Sequence, residues 1–520
     1  MAGEVLGGAN QEQLPPGWSL AELEDIVEVL DGARVPINAR DRARRVGKIP
    51  YYGATGQVGW IDDHLFDETL ILLGEDGAPF FDKTRHVSYV VTGKSWVNNH
   101  AHVLRPVTGI DASLLRHQLN IVDYHDFVTG TTRWKLNQAP MRRIRLRIPP
   151  AVEQSRIADV LDELFSDIES AEAALEGARA KLKLYRASVL KAAVEGALTA
   201  DWRALHPHTE PATELLDRIL TKRRHTWEEN QLKKFKAKGQ EPPKNWKAKY
   251  PQPATPDTSN LRPLPESWCW ATVDQCAFLI QYGTSAKANG DSSGIAVLRM
   301  GNLTSDGRLS VSDLKYLPGD HSEFPALLLK SGDLLFNRTN SAELVGKTAL
   351  YSGIPSPCSF ASYLIRVRVL EGLIPAVPMH SLNGGFGRLW IKKVVNQTVG
   401  QANVNGTKLA AFTFALPPYV EQDAFVEAVE DQLSVIDHLE ADLDTKLKNA
   451  RSLRQSILRH AFTGRLVPQD PNDEPASDLL KRVAAERKAQ VEGGAKRNIT
   501  KQSQRNSGRP RRKQTTETNA

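Results

Sequence analysis

The sequence predicts an α+β protein: two mixed α/β domains, each followed by a long helix, the two helices pairing as a coiled coil within a tandem duplication. Three observations lead there. "IPPAVEQSRIADVLDEL" at 148–164 returns as "LPPYVEQDAFVEAVEDQL" at 416–433. At a constant offset of 268, Pro149 meets Pro417, Glu153 meets Glu421 and Gln154 meets Gln422, and the match continues without a gap to Gly196/Gly464 and Leu198/Leu466. Each half also opens alike, with "LPPGWSLAELEDI" at 14–26 and "LPESWCWATVDQC" at 264–276. In each half, short apolar runs between Gly, Asp and Asn turns precede one long segment almost free of breakers.

Taken in order, residues 1–13 form an N-terminal tail and 14–147 the first globular domain. There "GWIDDHLFDETLILLGEDGAPFF" and "HVSYVVTGKSWVNNHAHVLRP" read as short strands of a curved sheet. The first long helix occupies 148–202: Pro149 and Pro150 precede it, Gly177 is its one interior breaker and Gly196 closes it. Its apolar positions Ile157, Leu161, Leu164, Ile168, Ala171, Leu175, Ala178, Leu182, Tyr185 and Val189 step alternately by four and three, which is a heptad seam. Shifted by 268, the seam keeps eight apolar residues out of ten, and the exceptions, Gln432 and Lys446, are each followed by leucine. So narrow a stripe needs a partner helix, and the duplicate is the obvious one. About 42 residues of helix span roughly 60 Å.

Residues 203–263, rich in Pro, Lys and Trp, read as a basic linker insertion. The second globular domain is 264–415, with "IAVLRMGNLT", "GDLLFNRTN", "GKTALYSG" and "YLIRVRVL" as its strand signals. The second long helix is 416–467. A helical segment at 468–490 follows, because "EPASDLLKRV" (474–483) echoes "EPATELLDRI" (210–219). Residues 491–520 read as a basic, disordered tail.

Apolar residues make up 41% and charged residues 25% of the 520-residue chain, the composition of a soluble globular protein. No apolar run approaches the roughly 18 residues needed to span a bilayer. With three cysteines (Cys269, Cys276 and Cys358) in neither paired nor metal-ligand spacing, and no secretion signal, the expectation is a cytoplasmic protein without disulfides or metal. The net charge of +6 is concentrated in two clusters, Lys233–Lys249 and Lys496–Gln514, and basic runs suit polyanions.

"NRTNSAELVGKTALY" (337–351) is close to the phosphate loop G-x-x-x-x-G-K-[ST], with Gly346, Lys347 and Thr348 in place. Ser341, however, stands where the first glycine should turn, and "TALYSGIP" after Lys347 reads as a strand rather than a helix. "LPPY" at 416–419 approaches the (N/D)-P-P-(Y/F) of amine methylation, yet Leu416 has no side-chain acceptor and copies "IPPA" at 148–151. No catalytic constellation emerges. What remains is a polar hairpin: Asn and Arg carry two-point hydrogen-bonding edges that match adenine and guanine, while Thr and Lys suit phosphate oxygens. The first domain offers an analogous polar set in "IPYYGATG" (49–56) and "GKSWVNNHAH" (93–102).

These segments, with "FASYLIRVRVL" and the two "PPxxEQ" helices, resemble the specificity (S) subunits of type I restriction–modification systems, across about 14–200 and 264–483. The resemblance implies two target-recognition domains separated by an antiparallel coiled coil of the two long helices, a tandem duplication with a pseudo-two-fold axis. Each would read half of a bipartite, asymmetric DNA site for a bacterial methyltransferase and restriction complex. It further implies no catalysis and no cofactor in this chain. Two modification subunits would bring S-adenosylmethionine for adenine methylation, and restriction subunits would bring ATP and Mg. The DNA-contact candidates are Tyr51, Tyr52, Lys94, Asn98, Asn99 and His100 for one half-site, and Arg299, Asn302, Asn337, Arg338, Thr339 and Lys347 for the other. Each has a plain structural alternative, core packing for the tyrosines and turn formation for the asparagines. A nucleotide-binding enzyme built on Lys347 and a helical scaffold without sequence readout are the alternative functions.

Overall fold

Leu70, Ile71, Leu72 and Leu73 are all buried, and alternate members enter opposite cores. Ile71 and Leu73 pack with Ile26, Leu104 and Met141, whereas Leu70 and Leu72 pack with Phe66, Val97 and Val103. A two-residue period on a strand covered on both faces produces this division. The strand Leu70–Gly74 lies inside an antiparallel sheet between Ala101–Pro106 and Ser88–Val91, with Val27–Val29 at the far edge. A second sheet pairs Ile49–Gly53 with Gly56–Ile61 and, in parallel, with Lys94–Val97. Ser19–Glu22 pairs with Arg145–Ile148, joining the ends of the domain just before Pro149.

The protein, described by a computed structural model over residues 14–489 apart from 83–84, 305, 342 and 399–400, divides into two compact units. One comprises the described residues up to Leu175 and from Thr445, the other Glu176–Asp444. The tails predicted at 1–13 and 491–520 lie outside the described residues. In the second unit the strand order repeats: Ala277–Tyr282, Leu364–Val369, Leu334–Asn337, Thr348–Leu350. Its second sheet again holds a parallel pair, Ile295–Leu298 with Cys358–Phe360, and Cys269–Thr272 closes on Thr413–Leu416. The duplication is therefore one of topology as well as of sequence.

The helices Ala151–Val194 and Tyr419–Phe462 each have 44 residues. In the first unit Ile157, Leu161, Phe165 and Ile168 share a core with Leu458, Ala461 and Phe462. In the second, Val189, Leu190 and Ala193 share one with Phe425, Val429 and Ile436. Early residues of one helix thus meet late residues of the other. The seam differs from the strict heptad reading: Ala171, Tyr185, Leu439 and Leu453 are exposed, while Phe165, Leu433 and Leu447 are buried. A 3.6-residue helix drifts about 20° per heptad, which moves the buried stripe by one residue. Ion pairs occupy the displaced positions. Arg186 meets Asp437 and, at 3.1 Å, Glu440 in the second unit, and Arg454 meets Glu169 at 3.2 Å in the first.

The repeated Glu–Gln has a physical reason. Trp18 Nε1 donates to both carboxylate oxygens of Glu153 at 3.1 Å, and Gln154 Oε1 accepts from Asp111 N at 2.9 Å. In the copy, Trp268 Nε1 donates to Glu421 at 2.8 Å and Gln422 Oε1 accepts from Ile374 N at 2.7 Å. The motif clamps the start of each long helix to its domain.

The stretch 203–263 is not a bare linker. It contains the helix Ala212–Ala237, whose Ala212, Leu215 and Ile219 enter the core of the second unit. Its return strap is pinned by Trp227 on Trp246 at 5.8 Å and Trp227 on Tyr250 at 5.4 Å. The echoing helix at 476–489 buries Ala476, Leu479 and Val483 on the first domain. Lysine and proline content obscured a stripe of apolar residues three and four apart.

Candidate nucleic-acid interface

Because Ile49–Gly53 and Lys94–Val97 are parallel, their C-terminal ends emerge at one edge of the sheet. The segment 98–100 leaves that edge beside the turn at Ala54 and Thr55. The loop before Lys135–Leu136 is drawn alongside: Glu75 O accepts from Leu136 N at 2.8 Å, and Gly77 N donates to Trp134 O at 2.9 Å. The result is a concavity of about 1010 Å³ open volume, lined by Thr55, Asp76, Asn98, His100, Arg133 and Trp134 among others. Asn98 Oδ1 accepts from His100 N at 2.8 Å, fixing the turn. Asp76 receives Arg133 Nε at 2.7 Å and lies 3.5 Å from His100 Nδ1. Glu75 is neutralised by Arg34 at 2.7 Å and Lys135 at 3.5 Å. Both acidic groups at this mouth are therefore matched by cations, which lowers its repulsion of a polyanion.

His102 lies under the mouth, 1% exposed, between Asp31 Oδ2 at 2.6 Å and Leu136 O at 2.8 Å. Burial pushes the Asp31 carboxyl up, but hydrogen bonds from His102 and Val103 N with the charges of His102 and Arg34 outweigh it and hold the group below its ordinary range. Asp31, Glu75 and His102 have metal-like spacing, but the Arg34 guanidinium already serves both carboxylates. The cluster is an internal ion-pair network.

The second unit repeats the geometry with different chemistry. Arg338 N donates to Tyr363 O at 3.0 Å, as Glu75 N does to His100 O at 2.8 Å, so Arg338 occupies the place of Glu75 and Tyr363 that of His100. The Arg338 guanidinium lies 4.8 Å from the Tyr282 ring centroid, with Nη2 3.5 Å from Asn403 Oδ1. Tyr282 and Tyr363 are exposed. Arg299 follows the strand Ile295–Leu298 at the same edge and is tied to Asp313 at 2.7 Å.

Residues 15–176 match the family model described as the Type I restriction modification DNA specificity domain. The type I restriction enzyme EcoKI specificity subunit of Escherichia coli (strain K12) is 25% identical over 93% of this chain and 98% of its own length. The StySPI specificity subunit of Salmonella potsdam is 25% identical over 94% of this chain and 98% of its own. A solved structure titled "Structural basis underlying complex assembly and conformational transition of the type I R-M system" shares the fold. It has a TM-score of 0.56 and 15% identity, over 87% of this chain and 100% of that one. Along nearly its whole length the chain is similar to type I restriction–modification specificity subunits.

In this chain the predicted contact residues separate into two groups. Tyr51 is 1% exposed, with its hydroxyl bonded to the Ile37 backbone and Arg42 over its ring at 4.6 Å. Asn302 is buried and bonds Arg299 N, Ser310 O and Asp313 O. Asn337 is buried against Leu344 O, and Thr339 is buried as acceptor for Asn403 Nδ2 at 2.8 Å. These four are buried, with polar edges enclosed or engaged by the loop backbone and neighbouring side chains. Tyr52 is half-buried against Tyr89. Lys94 is exposed but begins its strand, about 13 Å of extended chain before Asn98. Asn98, itself 9% exposed, and His100 line the concavity, and Asn99 is exposed between them. Arg299 and Arg338 stand at the equivalent sheet edge of the second unit.

Lys347 is half-buried, its Nζ 3.4 Å from Leu303 O. It precedes the strand Thr348–Leu350, so the helix that a phosphate loop requires is absent from its place. Thr55 and Tyr363 lie in segments the sequence singles out without being named as candidates, and Arg133, Trp134 and Tyr282 at these edges were not singled out. The one available signal was "GTTRWK", a basic–aromatic run just before the first "PPxxEQ" helix. Among the described residues, no helix is long and apolar enough to cross a membrane.

Proposed function

We propose that this chain is the DNA-reading component of a type I restriction–modification complex, each unit's open sheet edge reading one half of a bipartite, asymmetric site. The single observation that carries this reading is the recurrence of one strand order and one open edge with different side chains. Asn98, His100 and Arg133 stand at the first edge, and Arg299, Arg338, Tyr282 and Tyr363 at the second. A shared frame with divergent polar tips suits two different half-sites read in the same manner.

The two domains are held apart by the long helices paired as an antiparallel coiled coil. At 44 residues each helix is about 66 Å long. The pair sets the unread spacer, with half-sites about one helical turn, roughly 34 Å, or a multiple apart. Catalysis resides in partners: two modification subunits using S-adenosylmethionine to methylate adenine, and restriction subunits using ATP and Mg. Exchanging residues 264–415 for the corresponding domain of another specificity subunit tests the reading. Half of the methylated motif changes and the other half stays. A scaffold without readout leaves the motif as it was.

A further inference from the structure

In the first unit a guanidinium is held by a carboxylate so that its outer edge is left free. Arg133 is 62% exposed, and its Nε donates to Asp76 Oδ1 at 2.7 Å. Among the described residues no hydrogen bond engages Nη1 or Nη2. Asp76 is placed for this by its own backbone, which bridges Lys135 in antiparallel fashion, while Gly77 N holds Trp134 O. Trp134 packs edge-on against Phe81 at 4.9 Å and anchors the loop. Gly77, at φ +74°, gives the loop a backbone conformation that side chains rarely adopt. The guanidinium thus lies at the mouth of the concavity that also holds Asn98 and His100.

From this geometry we infer that Arg133 is a specificity-determining residue that reads guanine in the half-site of the first domain, with Asp76 as its positioning residue. The inference rests on the DNA-reading function proposed above. Arginine offers a planar fork matching guanine O6 and N7, and both Nη groups are available for it. The carboxylate partner decides between base and backbone. A phosphate contact draws on net charge, and Asp76 cancels that charge at 2.7 Å. A neutral base edge needs only directed donors, and pinning Nε keeps their direction while reducing the rotamer entropy lost on binding.

The test uses the full chain assembled with its modification subunits. The probe is a duplex carrying the motif mapped in the host, with a set in which each base pair of the first half-site is changed singly. In the wild-type complex one guanine change lowers affinity about 5- to 150-fold. In Arg133→Lys, which keeps the charge and loses the fork, that same change costs less than about 2-fold while penalties at the other positions persist. Asp76→Asn reduces discrimination at the same base pair. The inference is overturned if Arg133→Lys pays the wild-type penalty at every position. It is also overturned if Arg133→Ala weakens all duplexes alike and Arg133→Lys restores them, since a backbone contact behaves so. Comparing penalties within one variant keeps the outcome readable when overall affinity falls. If the wild-type complex discriminates no base pair at all, the DNA-reading function itself fails.

Discussion

Substituting the same residue of the repeated motif in its two copies should have unequal effects. Glu421 is fully buried and accepts from Thr199 Oγ1 at 2.6 Å, Arg203 Nη1 at 2.6 Å and Trp268 Nε1 at 2.8 Å. Glu153 is equally buried but accepts from Trp18, while the neighbouring Arg156 turns to Asp473 at 2.6 Å. Glu421→Gln removes the charge opposite Arg203 and points an amide N–H₂ toward at least one donor. Breaking a buried pair costs about 3–5 kcal/mol, and Arg203, 20% exposed, recovers some hydration, so about 3 kcal/mol is expected. With a urea m-value of about 2–3 kcal/mol/M the unfolding midpoint falls by about 1–1.5 M.

Glu153→Gln keeps an acceptor for Trp18 and removes a charge that burial disfavours, so its cost at neutral pH is within about 1 kcal/mol of zero. Burial raises the Glu153 pKa against the opposing influences of Trp18 and Arg156. The stability tied to its proton is therefore complete below the unfolded pKa and is lost as pH rises through the folded one. Relative to wild type, Glu153→Gln should improve as pH rises above the ordinary carboxylate range. Urea melts followed by tryptophan fluorescence measure both variants. Equal destabilisation by the two, or a larger loss for Glu153→Gln at pH 8, refutes the reasoning.

Further outcomes follow from other sites. His380, 4% exposed with Nε2 unpartnered, has its pKa lowered to about 4 by burial, so the stability it supports is present above about pH 6.5 and is lost as pH falls toward 4. His380→Phe should flatten that stretch of the stability–pH curve, where one such group contributes up to about 1.4 kcal/mol per pH unit. Lys347→Ala should weaken duplex binding and reduce the salt slope by about 1, with no nucleotide binding before or after the change, as filter binding with labelled ATP would check. Removing one heptad from the exposed middle of both long helices should alter the spacer in the methylated motif or abolish binding, shown by methylation of substrates with graded spacers.

The parts legible in the sequence were those carried by local patterns. Duplication, helix starts at the paired prolines and the long apolar seams lie within contiguous stretches, and the structure keeps them with a one-residue shift of the buried stripe. The open sheet edges were harder because their composition depends on distant pairings. Tyr51 and Tyr52 are indistinguishable in sequence, yet register buries one and leaves the other half-exposed. Arg133 joins Asp76 only because a loop 57 residues away is drawn beside it. Asn302 and Asn337 have the right chemistry for bases but are consumed by loop backbone. The helix Ala212–Ala237 was hidden by composition, though the echo "ATELLDRI" contained it.

The most direct measurement is a genome-wide map of methylated adenine in the host with and without this chain. One bipartite motif, two short defined halves around an unread spacer, should vanish on deletion and return on complementation. An unchanged methylation pattern, or loss of a single continuous motif, would contradict the reading of two separately addressed half-sites.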